Sequence, residues 1–165
     1  MSKKLTTTYK LVSVALLAIL ATNYFLYTQQ AQASFALSVR NSGGNEISQS
    51  STAFGISNAI SAPSLLIVSI GIDNKSTADG NTSDVTNVID SKGNIYTKAG
   101  EFTNTVGGVA NDGATIAVWY SVLGTSLGTS DTVSASYSAA VVAKAITMES
   151  YTLGAGQGHS VFVRR

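Results

Sequence analysis

"SLLIVSIGID", residues 64–73, carries Leu65 and Ile67 on one alternating face and Leu66, Val68 and Ile70 on the other. A run of this length that is apolar on both faces, rich in β-branched residues and followed by a polar Asp-Asn pair, reads as a central strand covered on both sides. Pro63 stands just before it, where a missing N–H does no harm to a ladder. Working outward, a period of two persists. "ATIAVWYSVL" (Ala114 to Leu123) sets Ile116, Val118, Tyr120 and Val122 against Ala117, Trp119 and Leu123, and "DTVSASYS" aligns Val133, Ala135 and Tyr137. Thr52, Phe54 and Ile56 share a face; Phe35, Leu37 and Val39 alternate with Ala36, Ser38 and Arg40. "AAVVAKAITMESYTL" supplies a long run in which strand is favoured over helix, and "SVFV" near the end offers a last strand. "VIDSKGNIYTKAGEF" (Val88 to Phe102) places an Asp/Gly/Asn turn between two β-prone runs and reads as a hairpin, with Gly93 or Asn94 carrying a positive φ. The expected fold is all-β: a two-sheet antiparallel β-sandwich of eight or nine strands, jelly-roll or immunoglobulin-like, preceded by an N-terminal hydrophobic helix.

Composition agrees with one globular domain. The chain has 165 residues, 44% of them hydrophobic, and only 12% are charged against the roughly 25% of ordinary soluble chains. Its polar surface must therefore be built from Ser, Thr, Asn and Gly. The net charge of +1, less the three leader lysines Lys3, Lys4 and Lys10, becomes −2. A near-neutral body lacks the basic face that nucleic acid requires. Cysteine is absent, which excludes disulfides, thiolate catalysis and cysteine metal sites.

Residues 1–33 form a leader: a basic start, an apolar stretch from Leu11 to about Ala21, and Ala31 and Ala33 in the A-x-A arrangement of a signal-peptidase site. Cleavage after Ala33 is the leading expectation. A retained membrane anchor over residues 11–27, or a pilin-like helix packed in a filament, are the alternatives, and each exports the body at 34–165. The expected location is extracellular or cell-surface.

The chemistry-bearing patterns are weak. Gly124-Thr125-Ser126-Leu127-Gly128 matches G-x-S-x-G, but that motif needs a strand–turn–helix setting, and here a turn and an alternating strand follow. Asp131 and His159, the single histidine, complete a Ser–Asp–His set only on paper. "GAGQGH" (Gly154 to His159) lacks phosphate-loop spacing and reads as a turn. Asp73, Asp79, Asn81 and Asp84 crowd one polar loop that also carries sequons at Asn74 and Asn81, without the order of a calcium loop. Trp119, Tyr120, Tyr96 and Phe102 would serve sugar stacking only if they faced outward. No catalytic, cofactor-binding or metal-ligating residue is assigned, and no cofactor is expected.

Taken together, "SLLIVSIGID", "VTNVIDSKGNIYTKAGEF", "ATIAVWYSVL" and "AKAITMESY" resemble a loosely defined group of β-sandwich modules of bacterial surface proteins and phage tail or virion proteins. The resemblance covers Ser64 to Tyr151. Its most specific part is the D-x-x-G-N-x-Y-T stretch at Asp90 to Thr97, followed by the aliphatic-Trp-Tyr strand. It implies a structural or adhesive role and carries no catalytic residues. The resulting expectation is an exported, non-enzymatic surface structural or adhesion subunit, with assembly into a filament or virion-like surface structure as one form of that role. Its partner would be itself or another surface protein, met through strand edges and Ser/Thr-rich faces, with no nucleic acid and with membrane contact only through residues 11–27 if the leader is retained. Strand Ser34 to Asn41 is expected to pair within its own domain or with a neighbour's edge. A carbohydrate-binding module is the first alternative and a small serine hydrolase the second.

Overall fold

The computed structural model describes residues 35–73, 83–104 and 113–153. Eight strands run in chain order: β1 (Phe35–Asn45), β2 (Gln49–Gly55), β3 (Ser64–Asp73), β4 (Val85–Asp90), β5 (Thr97–Asn104), β6 (Ala114–Leu123), β7 (Thr132–Val141) and β8 (Lys144–Leu153). They form two antiparallel sheets, one ordered β1-β8-β3-β6-β5 and the other β2-β7-β4. The apolar run at 64–73 is the middle strand of the larger sheet, paired over its whole length with β6 and over most of it with β8. None of its residues is fully exposed, as its two apolar faces require.

One hydrophobic cluster joins the two sheets. Leu66, Val68 and Ile70 of β3, Trp119 of β6 and Met148 of β8 meet Phe54 of β2, Val85 and Val88 of β4, and Val133 and Tyr137 of β7. Ile60 and Leu127, in the connections β2–β3 and β6–β7, close one end of the core: each donates its N–H to the other's carbonyl, at 2.8 and 2.9 Å. The alternation read from "ATIAVWYSVL" holds throughout, with Ala117, Trp119 and Leu123 inward and Ile116, Val118, Tyr120 and Val122 outward.

Three expectations are corrected. The hairpin at Val88 to Phe102 is an arch, because β4 pairs with β7 and β5 pairs with β6, in different sheets. The six residues Ser91 to Tyr96 cross between the sheets, too many for the two-residue turn that keeps a hairpin in register. The run after Ser138 is not continuous: Val142 and Ala143 turn the chain, and Val142 N–H donates to Asp73 Oδ1 at 3.1 Å. Phe35 and Leu37 do not share a face with Val39, since a register shift between Leu37 and Val39 turns Val39 toward the core and leaves the other two outside. "SVFV" lies outside the described residues, as do the leader and Gly154 to His159.

Within the arch, Gly93 has the positive φ expected of Gly93 or Asn94, at 79°. A Cβ added there would meet nothing within 4 Å, so any penalty is conformational rather than steric. Gly93→Val is expected to cost about 1–2 kcal/mol. An unchanged melting temperature would contradict that.

Every edge strand carries a register shift: at Leu37/Val39 in β1, Gln49/Ser51 in β2, Val85/Asn87 in β4 and Lys98/Gly100 in β5. The two ladders of the central strand have none. Bulges twist an edge away from foreign strands, and this low-charge chain uses them where other proteins use lysines. β1 pairs in its own domain with β8. On its other side Asn58 Nδ2 donates to the Arg40 carbonyl at 3.3 Å, covering part of that edge.

Candidate functional site

The Ser91 to Tyr96 arch is a knot of internal hydrogen bonds. Asp90, buried at the end of β4, accepts from the backbone N–H of Lys92 (2.9 Å) and Asn94 (3.1 Å) through Oδ1, and from Asn94 Nδ2 (2.8 Å) and the Tyr96 hydroxyl (2.9 Å) through Oδ2. Burial, and then the charge and hydrogen bond of Asp90, push the Tyr96 hydroxyl pKa well above its ordinary value, so it stays a donor. Asn94 in turn accepts from Gly124 and Thr125 N–H and donates to the Thr125 carbonyl, all at 3.0 Å. The D-x-x-G-N-x-Y-T residues thus carry the chain between sheets and pin it to the β6–β7 connection.

That connection holds the G-x-S-x-G match, and each of its residues is engaged in the fold. Gly124 and Thr125 bind Asn94, Leu127 plugs the core end, and Ser126 Oγ accepts the Ala62 N–H at 2.9 Å. Gly128 N–H donates to Asp131 Oδ2 at 2.8 Å. The segment continues through a turn into β7, so the strand–turn–helix setting of a nucleophile elbow is absent. Asp131 also accepts from Ser91 Oγ at 2.8 Å and pairs with Lys92 Nζ at 3.3 Å. The Gly128 and Ser91 hydrogen bonds, with Lys92, hold its carboxyl below the usual range. His159 lies outside the described residues.

The acidic loop is described only at its ends. Asp73 accepts from Val142 N–H, and buried Asp84 accepts from the hydroxyls of Thr103 (3.2 Å), Thr115 (3.0 Å) and Ser138 (3.3 Å). Asp79, Asn81 and Asn74 lie outside the described residues. Among the described residues no group of three or more His, Cys, Asp or Glu could hold a metal ion.

Buried polar side chains stitch the sheets together along both sides. Glu101 of β5, its side chain fully buried, accepts the Asp84 N–H at 2.6 Å and the Lys98 ammonium at 2.7 Å; that ammonium sits 5.2 Å from the Trp119 ring centroid. A cation over an indole face is attracted by the ring quadrupole. On the opposite side, buried Asn41 of β1 accepts from the N–H of Ser57 and Asn58 and donates to the Asn58 carbonyl. Buried Lys144 donates to the carbonyls of Ile47, Val141 and Val142.

What remains unspent is surface, and its two broad faces differ. The outer face of the three-stranded sheet is made of Ser51, Ala53, Ser134, Ser136, Thr132 and Asn87, with Ile89 the single large apolar side chain. The outer face of the five-stranded sheet is apolar. Phe35 and Leu37 are each 49% exposed, Ile116 53% and Phe102 59%, and Leu65, Ile67, Val118, Tyr120, Val122 and Tyr151 continue the patch. Register orders it into rows. Leu37, Tyr151, Leu65 and Val122 stand side by side at the end nearer Ile60 and Leu127; Gly44, Ala145, Gly71 and Ile116 stand side by side toward the other end. Over the small residues lies an open hollow of about 670 Å³ lined by Gly44, Gly71 and Ala145 together with Glu46, Asp73 and Lys144. One ion pair crosses the face: Arg40 Nη2 lies 2.6 Å from Glu149 Oε1, and the Tyr151 hydroxyl donates to Glu149 Oε2 at 2.8 Å. The Tyr151 and Arg40 hydrogen bonds hold the Glu149 carboxyl below its usual range. That pair is neutral, and Glu46 and Asp73 stand at the end of the face where the hollow lies.

No family model, no curated protein and no solved structure matches the chain. Alternation puts Ile116, Val118, Tyr120 and Val122 on one side of their strand but does not mark that side as open surface. The signal was present in "SLLIVSIGID": Leu65 and Ile67 face outward and remain only partly covered.

Proposed function

We propose that the chain is an exported, non-enzymatic structural or adhesion subunit whose working surface is the apolar face of the five-stranded sheet. The observation that carries this reading is the contrast between the two outer faces, one small and polar, the other with a patch of large apolar side chains. Contiguous exposed apolar surface of this extent marks an interaction site rather than ordinary solvent-facing sheet. The nested pairing of β1 with β8, β2 with β7 and β3 with β6 supports a jelly-roll form of the β-sandwich, with β5 moved from β4 to β6. Export rests on the basic start, apolar stretch and A-x-A of residues 1–33. Lysine modification of intact expressing cells with a membrane-impermeant reagent tests location: labelling of Lys92, which is partly exposed, is expected, and a chain labelled only after lysis would oppose the reading. A glycan-binding role is the second reading, favoured by Tyr120 and Tyr151 on the outer face. Glycan binding abolished by Tyr120→Ala would support it.

A further inference from the structure

We propose that the partner of this apolar face is a second copy of the same chain, stacked sheet on sheet about a two-fold axis that runs across the strands between Ile67 and Ser69. The inference rests on the reading of the face as an interaction surface and adds the occupant. The face is graded along β1, β8 and β3, with Leu37, Tyr151 and Leu65 at one end and Gly44, Ala145 and Gly71 at the other; β6 carries apolar bulk at both ends, Val122 and Ile116. A two-fold across the strands reverses one copy end for end. Leu65 then lies over Gly71 of the other copy, Tyr151 over Ala145 and Leu37 over Gly44, so bulk enters the hollow at both ends. An axis along the strands would set bulk on bulk and leave both hollows empty.

Five strands spaced by ~4.8 Å, each presenting about ten residues at ~3.3 Å, make a face of roughly 800 Å². A standard stable interface takes about 800 Å² from each partner. Arg40 and Glu149 neutralise each other within one copy, and the reversal places Arg40 over Ser42 and Glu149 over Thr147, so no like charges confront each other. The middle of the face thus offers no net charge to an acidic or basic partner, whereas its relief over β1, β8 and β3 is complementary to itself. A closed two-fold contact of this kind is isologous, each patch serving both copies.

The test uses the full chain as processed by the expressing cell, which has no native cysteine to interfere. Ser69→Cys, next to the proposed axis, is expected to give a covalent dimer with a short bismaleimide. Ser134→Cys, on the outer face of the three-stranded sheet, is expected to stay monomeric under the same treatment. Gly71→Arg fills the hollow, and a Cβ there meets nothing within 4 Å, so it should fold normally while weakening dimerisation in sedimentation at least about tenfold. A monomer at all concentrations, or a dimer captured through Ser134→Cys and not through Ser69→Cys, overturns the proposal. An exported chain that sediments as a monomer would remove the stacking and leave the export reading standing; a cytoplasmic chain that dimerises through Ser69→Cys would do the reverse.

Discussion

Asp90→Ala is expected to lower the melting temperature by about 10 °C, corresponding to a loss of about 3 kcal/mol. The substitution removes a buried carboxylate that accepts four hydrogen bonds within the Ser91 to Tyr96 arch. Each bond contributes modestly in net terms, because the unfolded chain satisfies the same groups with water. The larger cost comes from what is left behind: the backbone N–H groups of Lys92 and Asn94 and the partly buried Tyr96 hydroxyl lose their acceptor together. The loss should spread, since Asn94 also holds Gly124 and Thr125. Asp90→Asn keeps an acceptor at the same place and should lose less than half as much. Thermal unfolding followed by circular dichroism decides it, and an alanine variant melting within about 2 °C of the parent would show that the arch holds without its carboxylate.

Trp119→Ala should cost more, about 4 kcal/mol, whereas Trp119→Phe should cost about 1 kcal/mol or less. Trp119 is 7% exposed on the inner face of β6, and its loss to alanine opens a cavity between the sheets. It also removes the ring beneath Lys98. Phenylalanine keeps an aromatic ring in that place. It also deletes an indole N–H that is buried with no hydrogen-bond partner among the described residues, a group costly to bury when nothing accepts from it. Urea unfolding of the two variants separates these contributions. Equal losses for alanine and phenylalanine would mean that the indole N–H has an acceptor, such as a bound water, that contributes as much as the ring.

Much of the architecture was legible because strand burial follows a period of two. Ser64 to Asp73 and Ala114 to Leu123 were read with the bounds they have in the fold, and the inward set Ala117, Trp119 and Leu123 followed from alternation alone. What the pattern could not convey was partnership. Val88 to Phe102 has the composition of a hairpin, and composition is satisfied equally by an arch; the difference lies in Asn94 reaching Gly124 and Thr125, a contact thirty residues away that no local rule anticipates. The shift at Leu37/Val39 was hidden for a related reason, because a bulge reverses the facing of a strand without changing its residue types. The candidate surface was half visible. Outward Ile116, Val118, Tyr120 and Val122 could be read from their own strand, but a sheet that looks apolar on both sides in sequence is ordinarily covered, and only the strand order shows that nothing among the described residues of the second sheet lies over this side. The Ser/Thr bias pointed instead to polar contact faces, which describes the three-stranded sheet.

The proposed role depends first on export, and mass spectrometry of the N-terminus of the chain recovered from the native cell exterior tests it most directly. The account predicts a mature chain beginning at Ser34, produced by cleavage after Ala33 behind the apolar stretch. An intact chain retaining residues 1–33 and found in the cytoplasm would contradict it.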